Sequence, residues 1–325
     1  RRALMAGAGL AATGLAAGPA MAREGDGAPD LSGLSILITG CSSGFGRLGA
    51  EHYARLGAKV FATMRNLPRP EADELTALAA RDGLDITVLE IDVTSDEQVE
   101  AGVNAALAAV DGKLDVLVNN AGIAIAGPIE VQDMEATQLL FNTNVFGPQR
   151  MIRAALPAMR AAGGGQIFNV SSQLGRLIVP AYAHYSPTKF ALEALSEQLA
   201  YETVMQGIEV TIIQPGGYPT RIWENQVALS AQLKARVPAA LLAAYPQMTA
   251  GMGETSSGGG GSTDPMDIPR AIAEIITLPR GMRPLRRAVH PTARPQEPVN
   301  EAAAAAQIAM LGNSGYGPLI KAVLE

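Results

Sequence analysis

From Ser35 onward the chain alternates short, continuously apolar runs with stretches of helical periodicity, and few folds accommodate that order. Ser35 to Thr39, Lys59 to Met64, Ile86 to Glu90, Val116 to Asn119, Gln166 to Val170 and Glu209 to Gln214 read as strands. Arg47 to Leu56, Ser95 to Val110, Met134 to Met159 and Tyr182 to Met205 read as helices. Strict alternation predicts a parallel sheet covered on both faces, and strands apolar at every position fit burial from both sides. The expected fold class is therefore α/β, a single Rossmann-type doubly wound parallel sheet with helices on both faces. Pro157 is expected to mark or kink the end of the Met134 to Met159 helix, and Pro187 falls early in its own helix, where a missing amide costs least.

Between the first strand and the helix from Arg47 stands Thr39-Gly40-Cys41-Ser42-Ser43-Gly44-Phe45-Gly46. Glycines here let the backbone approach a pyrophosphate, whose charge a helix N-terminus stabilises. The spacing of Gly40, Gly44 and Gly46 differs from the general dinucleotide fingerprint, and a glycine turn alone can be purely structural. At the end of the second strand an acid would bond a ribose 2′-hydroxyl and repel a 2′-phosphate. This chain carries Met64-Arg65 instead, so Arg65 points to NADP(H) in preference to NAD(H), unless it is a solvated cation leading the next helix.

Further along, Tyr185 and Lys189 share a helix face whose apolar stripe is Leu192, Leu195, Leu199 and Val204. A phenol with a free pKa near ~10 is a poor base, but an ammonium one turn away favours the phenolate. Ser172 ends the strand Gln166 to Val170, which puts its hydroxyl at a carboxyl edge, where open α/β sheets bind ligands. A tyrosine four residues before a lysine occurs by chance in many helices, so the pair carries weight only with its companions. Those are the glycine loop, Asn119-Asn120-Ala121-Gly122, Asn144, Ser172 and Pro215-Gly216, in that order.

With these motifs the stretch from about Leu34 to His290 resembles the short-chain dehydrogenase/reductase family. The run from Tyr185 through Glu197 and the cysteine in the glycine loop look most like its hydroxysteroid and retinol dehydrogenase branch. The resemblance implies an oxidoreductase interconverting a ketone or aldehyde and an alcohol, with a small-molecule substrate that is bulky and apolar. Catalytic roles then fall to Ser172 as hydrogen-bond donor to the substrate oxygen, Tyr185 as general acid/base, Lys189 beside the nicotinamide ribose, and Asn144 positioning a water. The dinucleotide would lie along Gly40, Ser42, Ser43, Gly44, Phe45 and Gly46, with Arg65, then Asp92 and Val93 at the adenine. Asn119, Ala121, Gly122, Pro215, Gly216 and Thr220 would complete its contacts with Tyr185 and Lys189. Asn119 has an equal alternative as a polar tie between strands. The resemblance also implies a homodimer or homotetramer. Rival readings are a non-catalytic dinucleotide-binding redox sensor or scaffold, and an epimerase or dehydratase using bound dinucleotide.

A net charge of −6 without a dense basic run argues against nucleic acid as a partner, and the single cysteine, Cys41, leaves no intrachain disulfide or thiolate cluster. His52, His184 and His290 are scattered, so no metal site is expected. Arg1-Arg2, the run Ala3 to Ala17 and Ala20-Met21-Ala22 resemble a twin-arginine export signal cut after Ala22, giving a periplasmic enzyme with no lasting membrane anchor. A mistaken start upstream of a cytoplasmic enzyme is the alternative. Residues 23–33 read as linker and 34–325 as one domain, within which about 216–264, including Gly258 to Gly261, read as a flexible excursion serving as a substrate lid.

Overall fold

The computed structural model describes residues 28–254 and 261–325. The export-signal segment and most of the glycine patch lie outside these residues. In chain order the elements are β1 (Ser35–Ile38), α1 (Gly44–Arg55), β2 (Lys59–Met64), α2 (Pro70–Asp82), β3 (Ile86–Glu90), α3 (Asp96–Ala108) and β4 (Val116–Asn119). Then come α4 (Met134–Phe141), α5 (Gly147–Ala161), β5 (Gly165–Val170), α6 (Tyr185–Thr203), β6 (Ile208–Pro215) and α7 (Ile222–Arg236). The remainder is α8 (Ala239–Ala244), α9 (Pro246–Thr249), α10 (Asp267–Thr277), β7 (Arg286–Val289), α11 (Glu297–Leu311) and α12 (Gly317–Leu324).

The strands form one sheet in the order β3-β2-β1-β4-β5-β6-β7, and every pairing is parallel. Alternate strand residues enter opposite cores, which explains why the runs are apolar at every position. Ile36, Ile38, Val60, Ala62, Val116 and Val118 join one core with α1 and α10, while Leu37, Phe61 and Leu117 join the other with α3, α5 and α6. The strand order reverses beside β1, between β1 and β4, and crevices for ligands open at that point.

Several expectations need correction. Met134 to Met159 is helical throughout, but a π-helical turn, Asn142–Phe146, lies between α4 and α5, and α5 runs through Pro157 to Ala161 without ending there. The helix bearing Tyr185 begins at Tyr185, because Ala181 and Ala183 have positive φ and hold Tyr182 in a loop bridged to Gly127. Leu31, assigned to the linker, is fully buried and its amide bonds Leu56 O, so the packed fold starts before residue 34. The segment after Pro215 is mostly helical, as α7, α8 and α9, with its own apolar cluster of Leu233, Met252, Ile123, Ile125 and Leu140. The seventh strand escapes the apolar pattern, since β7 is Arg286-Arg287-Ala288-Val289 and Arg286 is paired with acids of α6.

Candidate active site

A cavity of about 450 Å³ opens along the carboxyl edge of the sheet, from Arg65 at one end to Trp223 and Gln226 at the other. At its centre the chain turns from β1 into α1. Gly40 has φ +75°, and a Cβ there would stand 2.9 Å from Ala121 Cα. Gly46 is not in the cavity wall, contrary to its assignment as a cofactor contact. A Cβ on it would lie 2.3 Å from Gly40 O, so it lets α1 pack against the loop that forms the cradle. Ser42, Ser43, Gly44 and Phe45 do line the cavity, and no side chain caps the α1 N-terminus, whose amides are left for an anion.

Arg65 reaches the wall from the end of β2, joined by Arg69, which sequence reasoning did not single out. Arg69 bonds Arg65 O at 3.3 Å and pairs with Glu71 at 2.9 Å. Asp92 is fixed by Thr94, whose amide and hydroxyl donate to Oδ1 at 2.9 and 2.7 Å, and Val93 lies beside it in the wall. Asn119 is the polar tie and not a wall residue: it is buried and its Nδ2 donates to Asn169 Oδ1 at 2.8 Å. Its neighbour Asn120 lines the cavity and donates to Thr39 O at 2.8 Å, next to Ala121 and Gly122. Pro215, Gly216 and Thr220 bound the opposite side, Thr220 lying over Gly44.

The reacting end brings together residues from two elements. Ser172 follows β5, and its hydroxyl accepts from Leu174 N at 3.1 Å, capping the short 3₁₀ turn Gln173–Gly175. Tyr185 and Lys189, one turn apart on α6, are both buried, with Lys189 Nζ 5.7 Å from the Tyr185 ring centroid. That ammonium also donates to Val170 O at 3.0 Å. Burial pushes the Tyr185 phenol up to about 12, the nearby Ser172 hydroxyl pulling it back and Tyr182 adding to the rise. Burial likewise brings Lys189 down to about 8, which the charge of Glu193 opposes. Desolvation of the phenol is the largest influence on it.

Asn144 sits on the π-helical turn, outside the cavity wall. Its Oδ1 accepts from Ile123 N at 2.9 Å, and its Nδ2 donates to Ile123 O at 2.9 Å and Thr188 Oγ1 at 3.1 Å. A Cβ on Gly122 would stand 3.4 Å from Asn144 Oδ1 and 3.6 Å from Lys189 Nζ, so glycine keeps the space between those two atoms clear. His184 is outside the wall and bonds Gln132 and Thr137. Beyond Ser172 the wall is made by Leu174, Val179, Tyr182, Ile222, Trp223 and Gln226, none of which a local motif announces.

The parallel sheet, the glycine cradle at its switch point and the Ser172, Tyr185 and Lys189 group define a dinucleotide-dependent oxidoreductase site. Comparison with known proteins agrees. The family described as short chain dehydrogenase matches residues 35–229. Retinol dehydrogenase 8 of Homo sapiens is 34% identical over 265 residues, which are 78% of this chain and 80% of that protein. A short-chain dehydrogenase/reductase from Burkholderia phymatum, solved in complex with NAD, superposes with TM-score 0.68 at 24% identity, covering 87% of this chain and 96% of that one, a likeness of fold. A metagenomic short-chain oxidoreductase in complex with NADP gives 0.63 at 25% identity over 81% of this chain and 99% of that one. The chain belongs to the short-chain dehydrogenase family and is an NAD(P)-dependent oxidoreductase acting on CH–OH groups.

Proposed function

We propose that this enzyme interconverts a ketone or aldehyde with its alcohol, with Tyr185 as general acid/base and NADP(H) preferred to NAD(H). The observation that carries the reading is the burial of Ser172, Tyr185 and Lys189 against one cavity whose other end is a glycine cradle under an uncapped helix. The residues fit a dinucleotide: a Cβ at Gly40 would fill the space above Ala121, and the α1 amides face the same cavity. When bound, the dinucleotide supplies or accepts the hydride.

In the reductive direction the substrate carbonyl oxygen accepts hydrogen bonds from Ser172 Oγ and Tyr185 Oη, and the phenol gives it the proton. In the reverse direction Tyr185 takes the proton back. A phenol held near 12 is protonated at neutral pH, the form that gives its proton to the carbonyl oxygen. Lys189 stays beside the phenol, its ammonium bonded to Val170 O, and is the group that would hold the nicotinamide ribose. Arg65, with Arg69 next to it and no acid on the β2 end, supports recognition of a 2′-phosphate. Leu174, Val179, Ile222 and Trp223 support an apolar substrate, and α7 to α9 form the cap that shapes its choice. Exposed Met134, Phe146 and Phe190 on or beside α4 to α6 support a dimer or tetramer through those helices, to be checked by light scattering. Arg1-Arg2 and Ala20-Met21-Ala22 support export, to be checked by cell fractionation.

The test is to follow NADPH and NADH absorbance against a panel of aliphatic, aromatic and steroid-like ketones. Turnover with NADPH well above that with NADH is the expected result. Tight dinucleotide binding without turnover of any ketone would overturn the reading in favour of a redox sensor.

A further inference from the structure

Beneath the reacting groups lies a set of buried charges that the chemistry above does not use. Glu193 is only 1% exposed, one helical turn past Lys189 on α6. Its Oε2 accepts from Arg286 Nε of β7 at 2.9 Å, and its Oε1 from Gln214 Nε2 of β6 at 2.9 Å. Arg176, the residue closing the 3₁₀ turn after Ser172, approaches the same carboxylate at 3.5 Å and donates to Asn300 Oδ1 of α11 at 3.1 Å. The turn and the acid are packed hard together: a Cβ on Gly175 would meet Glu193 Cγ at 2.9 Å. A buried carboxylate costs several kcal/mol of desolvation unless paired, so a purely apolar seam would serve α6 at least as well if only packing were needed. Here β6, β7 and the 3₁₀ turn converge on one acid of α6, which touches the Ser172 turn and lies one helical turn from Lys189.

We propose that Glu193 is a positioning residue for the reaction: its carboxylate holds Lys189 in the charged form and, through Arg176, anchors the turn that presents Ser172. The inference rests on the role given above to Tyr185 and Lys189. Tyr185 and Tyr182 are the other titratable groups on the lysine's side. On the carboxylate's side stand Arg176, Arg286, Glu197 and Tyr201, with neutral Gln214 and Asn300. Lys189 titrates near 8 and Tyr185 near 12, so loss of carbonyl reduction on the alkaline side first reports the lysine.

The experiment is the pH profile of carbonyl reduction by the full chain, with NADPH and the fastest ketone of the panel. Glu193→Gln should move the alkaline limb down by about one pH unit, the shift expected when a charge about one turn away is removed. Arg286→Met, which strips the carboxylate of a partner cation, should move the limb the other way, and Glu193→Asp should restore it. Uniform loss of rate with limbs unmoved would mean that Glu193 is only structural and would overturn the proposal. Thermal unfolding identifies a variant that fails to fold; if Glu193→Gln does, an unmoved limb in Arg286→Met overturns it equally. Tyr185→Phe run alongside keeps two failures apart. Turnover retained there sinks the mechanism on which the inference rests, whereas turnover lost there with an unmoved limb in Glu193→Gln sinks this inference alone.

Discussion

The two ends of the cavity are built by different means. At the dinucleotide end, Gly40, Arg65, Asp92 and Gly122 each lie within a few residues of the end of β1, β2, β3 or β4, so a register fixed by the sheet core fixes them too. Much of that end is backbone and missing Cβ atoms, as at Gly40 and Gly46. At the substrate end the wall comes from the loop after β5, the positive-φ segment around Tyr182 and a cap with its own apolar cluster. A cradle of backbone tolerates almost no change, because a carbonyl cannot give way to an added methyl. A wall of side chains on a separate cluster can be altered without disturbing the sheet. The molecule thus keeps the hydride partner fixed and leaves substrate choice adjustable.

The contrast can be broken in several places. Tyr185 stands where the two ends meet, and Tyr185→Phe should lower turnover by roughly 10²- to 10⁴-fold, with NADPH affinity by fluorescence titration unchanged. Gly46→Ala should cost about 3 kcal/mol in chemical unfolding, since the methyl would fall on Gly40 O, and should weaken dinucleotide binding. If it is tolerated, the account of the rigid end is wrong. Lys189, lowered by burial to about 8, is charged below that pH and neutral above it, so carbonyl reduction should fall as pH rises through about 8. A rate flat to pH well above that value would remove the lysine from the mechanism. Arg65→Ala should weaken NADPH binding about tenfold, or about 1.4 kcal/mol, and leave NADH nearly untouched. At the adjustable end, Val179→Ala removes methyl surface from a partly exposed side chain and should raise KM for an apolar ketone only a few-fold, about 0.8 kcal/mol. A change in NADPH affinity in that variant would show that the two ends are coupled after all.

Legibility followed the same division. The strand ends, the glycine loop and the pairing of Tyr185 with Lys189 depend on residues close in sequence, where periodicity and spacing carry the signal. Gly46 was legible as important but not in its role, because it supports the cradle from behind, whereas for Asn119 the sequence left two roles open and the structure shows the tie from β4 to β5 through Asn169. Arg69, Val179, Trp223 and Gln226 went unnoticed because they reach the cavity only by tertiary packing. The seventh strand was masked by two arginines whose neutralising acid partners, Glu193, Glu197 and Glu274, are supplied by α6 and α10. The π-helical turn at Asn142–Phe146 gives no signal in the apolar pattern either, since both α4 and α5 continue it.

The sequence by itself determined the parallel α/β sheet and its edge as the place for a ligand, because these follow from local periodicity, and it singled out Ser172, Tyr185 and Lys189 through the ordered set of motifs that carries the family resemblance. Only the tertiary structure decided the protonation balance of that group. How strongly Tyr185 and Lys189 are desolvated depends on every element packed around them, and that burial, not the spacing of the pair, places the phenol near 12 and the ammonium near 8.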